Sequence, residues 1–337
     1  MPRSAVGALA AIALTIQILA AGAAEIPRTA EPPTPIEVRA VPIPAFEPRD
    51  PSRQRFGALE YRGGLVLTSP YRQFGGISAI RVAADGASFL TVSDIGRWWR
   101  GRIVYEGKRP VGIAGAEMAP LLGLDGKPLG ARRWYDSESI AIDGGTVYVG
   151  LERVDQIVRF DYGRAGLIAR GEPIPTKFPK LPYNKSLECL EFVPKGPLAG
   201  TLIVVTERGL DANGNLLSFL IKGTTFGEFT VKRTDDFDVS DCALLPGGDL
   251  LILERRYSPW RGVAMRIRRL PSASIKPGAL VDGPELIYAD MGFQIDNMEG
   301  LSVHRADDGG LVLTLVSDDN FSLLQRTILL QFTLMEE

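Results

Sequence analysis

The sequence predicts an all-β fold, a β-propeller, on three observations. From Phe56 onward the chain is a series of short runs rich in Val, Ile, Leu and Phe, bounded by Gly, Pro, Asp and Asn, with no sustained helical period. Two kinds of run recur in register, at a spacing that fits several strands per repeat. The segments before the first repeat and after the last add up to one further unit, so the ring closes through the two ends of the chain.

The elements follow in order. Met1-Pro2-Arg3 carries one positive charge, Ser4 to Ala20 is uncharged and apolar, and Ala21-Gly22-Ala23-Ala24 offers small residues for cleavage. That layout predicts a signal peptide over residues 1–24 and a periplasmic or secreted protein with no membrane attachment after cleavage. Residues 25–55 hold Pro27, Pro32, Pro33, Pro35, Pro42, Pro44, Pro48 and Pro51, which predicts an extended linker or a strap laid over the domain. Residues 56–337 form the propeller domain. Its first kind of run begins at Gly76, Glu138, Glu188, Asp241 and Glu299, and the second ends at Ser93-Asp94, Glu152-Arg153, Glu207-Arg208, Glu254-Arg255 and Ser317-Asp318. Five repeats are countable, with a sixth, degenerate blade as the alternative. The run Gly64 to Thr68 is expected to supply a strand to the last blade.

In an antiparallel blade the start of the innermost strand and the end of the second lie at the same end of the sheet. The first set of acids is therefore expected as an inner ring around the mouth of the central channel, with the second set and its arginines just outside it. Crowded carboxylates must pair with cations or take up protons. Hard divalent cations such as Ca²⁺ accept such oxygens, and salt bridges between blades are the purely structural alternative. Trp98 and Trp99 read as packing residues at the rim. Cys189 and Cys242 hold equivalent positions in adjacent repeats on this alignment, so their side chains are expected to lean the same way and remain buried free thiols.

Composition closes other routes. Thirty-eight Lys and Arg against 40 Asp and Glu, a net charge of −2, give no basic footprint for nucleic acid. Two cysteines build neither a disulfide framework nor a four-thiolate zinc site. The chain has one histidine, so a Ser-His-Asp mechanism must run through His304. That residue follows Glu299 along the innermost strand and is expected at the opposite end of the channel.

The strings Phe74-Gly75-Gly76-Ile77-Ser78, Ser93-Asp94-Ile95-Gly96, Asn184 to Glu188, Asp296 to Leu301 and Ser317-Asp318-Asp319-Asn320-Phe321 with Gln325-Arg326-Thr327 resemble the phytase-like family, the group labelled "esterase-like activity of phytase". The resemblance covers about Phe56 to Leu334 and implies an exported propeller that hydrolyses phosphate or other esters, with Ca²⁺ dependence by analogy with β-propeller phytases. The chain departs from the fuller pattern at Cys189, and at Asp241 and Cys242, where the family has Gly, Glu and Gly. The combined expectation is metal-assisted ester hydrolysis, phosphate monoesters favoured over carboxylic esters, by a monomer acting on a small molecule. Glu138, Glu299 and Arg326 are the candidate catalytic residues. Glu138, Glu188, Asp241, Glu299, Asp94 and Asp318 are the candidate Ca²⁺ ligands, and Arg97, Lys185, Arg208 and Arg255 the candidate substrate contacts. A non-catalytic binding propeller and a sugar-lactone hydrolase are the competing readings.

Overall fold

The structure is a computed structural model that describes residues 25–335; the signal peptide expected over 1–24 lies outside the described residues. Five blades, antiparallel apart from a short parallel edge strand on the second and third, surround a central channel, each led by an innermost strand: Ile77–Val82, Ser137–Asp143, Cys189–Val193, Asp238–Leu244 and Asn297–Arg305. Each innermost strand packs on the next, and the fifth returns to the first. Five blades account for all the repeats.

The fifth blade joins the two ends of the chain. Three C-terminal strands, Asn297–Arg305, Leu311–Asp318 and Thr327–Leu334, are followed outward by Leu59–Thr68, which contains the expected Gly64 to Thr68 run. Arg39–Ile43 adds to the edge of this sheet, and Thr34–Pro35 pairs with Arg109–Pro120 at the edge of the first blade. The Pro-rich segment thus lies across two blades, supplying short edge strands where missing proline N–H groups cost least. No helix among the described residues is long and apolar enough to cross a membrane.

Alternation along the strands puts one apolar face toward each neighbouring blade. The result is five separate cores, one per blade interface. Trp98 lies wholly buried between blades 1 and 2, edge-on to Phe160, and Trp99 lies between blades 5 and 1 against Phe74 and Phe89. Both are packing residues.

Strand register corrects the alignment of the repeats. Each second-strand residue Asp94, Glu152, Glu207, Arg255 and Asp318 lies opposite Gly76, Asp136, Ser186, Asp238 and Asn297 in turn. The fourth blade is therefore displaced by one residue from the sequence alignment: Ser240, not Asp241, is the counterpart of Glu138 and Glu299. Side chains alternate along a strand, so a shift of one residue reverses the face of each. Cys189 matches Asp241 in register, and Cys242 matches Leu190. Cys189 consequently points forward to blade 4 and Cys242 back to blade 3, and the two form a disulfide with Cα atoms 5.1 Å apart. The expectation of free thiols failed because it assumed equivalent positions.

The same shift turns Asp241 away from the mouth and into the channel. There it accepts two hydrogen bonds from Arg81, at 2.9 and 3.1 Å, and two from the backbone N–H groups of Leu301 and Cys242, both at 2.7 Å. The Arg81 guanidinium also donates to the carbonyls of Ile80, Leu190 and Leu301. Four of the five blades meet in this one buried pair, which pins the axis. Burial pushes the Asp241 carboxyl up to about 6, and Arg81 and the two N–H groups limit the rise.

Arg81→Met leaves an uncompensated buried carboxylate and is expected to cost about 3–5 kcal/mol; the double variant Arg81→Met/Asp241→Leu should recover much of that loss in urea unfolding. Cys242→Ser is expected to cost about 2–5 kcal/mol, and the reduced protein should be heavier than the oxidised one by two protons in intact mass spectrometry.

Candidate functional site

A β-bulge sets the geometry of the acidic mouth. In four innermost strands the register jumps by one residue, leaving Ser78, Glu138, Ser240 and Glu299 as the extra residue. Glu188 holds the same place in the third blade, immediately before the Cys189–Val205 pair. A bulged residue is freed from the ladder and its side chain is re-aimed, here over the channel mouth. The inner ring is therefore Ser78, Glu138, Glu188, Ser240 and Glu299. The outer ring is Asp94, Glu152, Glu207, Arg255 and Asp318. Seven carboxylates face one embedded arginine.

Gly75 and Gly76 let the first blade join this arrangement. Gly75 has φ +129° and Gly76 φ +59°, and a side chain on either would collide with Asp319 or Asp94. The bare backbone allows the Gly76 N–H to donate to Asp319 Oδ1 at 3.0 Å. Asp319 also accepts from Thr327 Oγ1 at 3.1 Å, so the paired aspartates divide the work. Asp319 ties down the loop, and Asp94 and Asp318 face the recess.

The cations are few. Arg255 reaches Glu207 Oε1 at 3.3 Å, Glu299 Oε2 at 3.2 Å and Asn297 Oδ1 at 3.0 Å. Lys185 Nζ lies 2.6 Å from Glu207 Oε2 and remains about one-third exposed. The Ser186 N–H donates to Glu152 Oε1 at 2.6 Å, and Asn297 Nδ2 to Glu299 Oε1 at 2.8 Å. Asp94 Oδ1, Glu188 Oε2 and Glu299 Oε2 are buried without a hydrogen-bond partner.

Burial and mutual repulsion drive these groups toward their neutral forms. Burial, then the charges of Glu152, Asp136, Asp94 and Glu299, holds Glu138 well above the usual carboxylate range. Glu188 is raised in the same way, and Asp94 by burial and then Asp318. Burial pushes Glu299 up to about 8 against the pull of Arg255, and Glu152 and Asp318 up to about 7. Asp136, opposite Glu152, is also raised by burial.

A cation would serve in place of protons. Glu152, Glu188 and Glu207 each offer one carboxylate oxygen, all within 4.8 Å of one another. Their convergence, their oxygen chemistry and the unpartnered Glu188 Oε2 fit a hard divalent ion.

The other candidates are distributed as follows. Asp241 is held by Arg81 and lies outside the mouth. Arg97 is covered by the N-terminal segment through Glu31 at 2.9 Å and does not face a substrate. Glu254, shifted with its blade, is wholly buried between Arg266 and Arg268. Arg208 pairs with Asp238, and Arg326 braces the loop at Gln294, Ile295 and Asp296. Arg153 stacks over Tyr135 and Tyr183 instead of bridging blades. His304 lies at the far end of the channel, beside Gly86. Sequence reasoning missed Asp136, and it placed Glu152 and Glu207 in the outer ring without naming them as ligands. A pairing argument that put each acid opposite the residue two before the bulge would have found all three.

The raised carboxyls make a signed prediction. A group with its folded pKa above its unfolded value binds more protons when folded, so its contribution to stability is full below the unfolded value and is lost as pH rises through the folded one. The melting temperature of metal-free protein should fall between about pH 4.5 and pH 8, the span from ordinary carboxylates to Glu299. A millimolar divalent cation should flatten the upper half of that curve. Differential scanning calorimetry with and without chelator reads both effects.

Residues 72–321 match the phytase-like family, described as "esterase-like activity of phytase". No curated protein matches the chain. Among solved structures the chain is similar to a PQQ-bound aldose sugar dehydrogenase from Streptomyces coelicolor, at 12% identity and a TM-score of 0.44, covering 91% of this chain and 99% of that one. It is also similar to a protein of unknown function from Dyadobacter fermentans, at 12% identity and a TM-score of 0.44, covering 92% and 96%. At these scores neither likeness carries an argument about chemistry. The five-bladed ring, the glycine-aspartate join of its first and last blades and a match over most of the sequence lead to one assignment: the chain belongs to the phytase-like family.

Proposed function

We propose that the protein is an exported hydrolase that cleaves an ester at the acidic mouth, with phosphate monoesters preferred and a divalent cation, Ca²⁺ first, bound by Glu152, Glu188 and Glu207. The observation that carries this reading is the convergence of three buried carboxylates, one of which, Glu188, has a buried oxygen with no hydrogen-bond partner. A bound cation supplies Lewis-acid polarisation of the ester and neutralises charge that develops on it.

The chain's own residues do the rest. Lys185 and Arg208, both partly exposed, give the mouth a cationic edge where an anionic substrate can lie. Arg255 contacts both Glu207 and Glu299 and holds the two side chains in place. Glu299, with its carboxyl near 8, carries a proton at neutral pH and can deliver it to the departing alcohol oxygen. Glu138, raised by burial and then by the neighbouring carboxylates, is the second proton-transfer group. Asn297 fixes the rotamer of Glu299 through its side-chain amide. Export is supported by the buried Cys189–Cys242 disulfide, a bond suited to an oxidising compartment.

Glu299→Gln replaces a protonated acid by a group of the same shape, so the fold should stand while kcat falls about 100-fold or more. Purified protein is to be assayed on phosphate-ester, carboxylic-ester and lactone panels, with Ca²⁺ and with chelator. Turnover that disappears with chelator and in Glu188→Gln supports the proposal. No turnover on any panel, with or without metal, overturns it in favour of a binding propeller.

A further inference from the structure

The axial pin closes the channel beneath the acidic mouth, and a second recess opens beyond it. The innermost strands end there, at Val82, Asp143, Val193, Leu244 and Arg305. A cavity of about 810 Å³ runs from this end into the cleft between blades 1 and 2. Its walls are mixed, with Val82, Phe89, Leu90, Ile142, Leu244 and Val303 beside the charged Arg100, Arg102 and Glu117.

The floor is charged. Arg81 and Glu191 occupy matching register positions in blades 1 and 3, and both line the cavity. Glu191 Oε2 lies 3.4 Å from an Arg81 guanidinium nitrogen. It forms no hydrogen bond, because the terminal nitrogens of Arg81 are already given to Asp241 and to three carbonyls. One guanidinium therefore faces two carboxylates, and the carboxylate on the cavity side has no donor. The wall arginines do not supply one: Arg100 is paired with Glu117 at 2.6 Å, and Arg102 with Asp85 at 3.1 Å. Lys195 and Arg305 line an adjoining recess and are exposed to solvent.

We propose that this far-side cavity binds a primary ammonium or guanidinium group carried on an apolar chain, with Glu191 as its anchor. Such a ligand brings the missing second positive charge to the floor, donates to Glu191, and lays its apolar body against the apolar part of the walls. A carboxylate in the same place would meet Glu191 head-on, and an alcohol would gain one neutral hydrogen bond with no charge compensation. The site is independent of the chemistry at the mouth, from which Arg81 and Asp241 divide it. Burial pushes the Glu191 carboxyl up to about 7, so it is ionised in mildly alkaline buffer.

The test is calorimetric titration at about pH 8.5 with n-hexylammonium, 1-hexanol and hexanoate as probes. Hexylammonium should bind one to one, at least about tenfold more tightly than the other two. Glu191→Gln should abolish that preference. Ile142→Lys, at a partly exposed wall position, puts a competing ammonium at the cavity and should weaken hexylammonium about tenfold or more; it carries the test if Glu191→Gln does not fold. Glu138→Gln, at the mouth, should leave binding unchanged. Absence of binding, equal binding of hexanol, or binding that survives Ile142→Lys and is lost in Glu138→Gln overturns the proposal.

Discussion

The contact between Arg81 and Asp241 organises this molecule. A propeller has no single core, because each blade is packed only on its two neighbours, and here five separate apolar clusters fill the five interfaces. What relates blades that do not touch is the axis. Arg81 comes from the first blade, takes a carboxylate from the fourth, and takes carbonyls from the third and fifth. Two ions removed from water gain little net energy from each other, so the pair matters chiefly for position: the guanidinium has a fixed fork, and only one rotational arrangement of the blades presents all its acceptors.

That fixed axis makes the acidic mouth tolerable. Seven carboxylates at one opening resist folding, and the fold offsets them with protons, with Arg255 and with backbone N–H groups. The bulges are what concentrate the charge. Without the extra residue, Glu138 and Glu299 would follow the alternation of their strands and enter the interfaces between blades. The position of Arg255 is equally specific. It occupies the one place in the outer ring where four blades carry an acid, and so the single guanidinium sits among the groups it must neutralise.

Most of the architecture was legible in the sequence because it repeats: five runs, their acids, and the return of the N-terminal strand to the last blade all follow from counting. The site was legible to the extent that acids stay in register. Glu138, Glu188 and Glu299 carry their alignment visibly and were placed correctly on the inner ring. Asp241 and Glu254 resemble them in type but sit one residue out of step, and one residue in a strand is the difference between two faces. The cysteines failed for the same reason. Arg81 left no signal at all, since its four partners are backbone carbonyls and one acid separated from it by 160 positions, and no local pattern marks a residue whose meaning is given by the whole ring. Arg97 was misplaced for another reason: the covering Glu31 comes from a proline-rich stretch whose path is not encoded in periodicity.

The closing of the fifth blade also governs when the molecule can exist. Leu59–Thr68 is among the first of the described strands to be made, and its partner, Thr327–Leu334, is the last of them. Until Thr327–Leu334 is synthesised, this early strand has an open edge, and neither the axis nor the mouth is complete. Loop closure over nearly the whole chain is slow, and an unpaired apolar edge invites association with other chains. The segment Arg39–Ile43, paired on the outer side of the same strand, covers one of its edges from the outset with sequence-local contacts. A stretch that looks like a linker thus covers the outer edge of the strand whose inner edge is the seam through which the ring is finally joined.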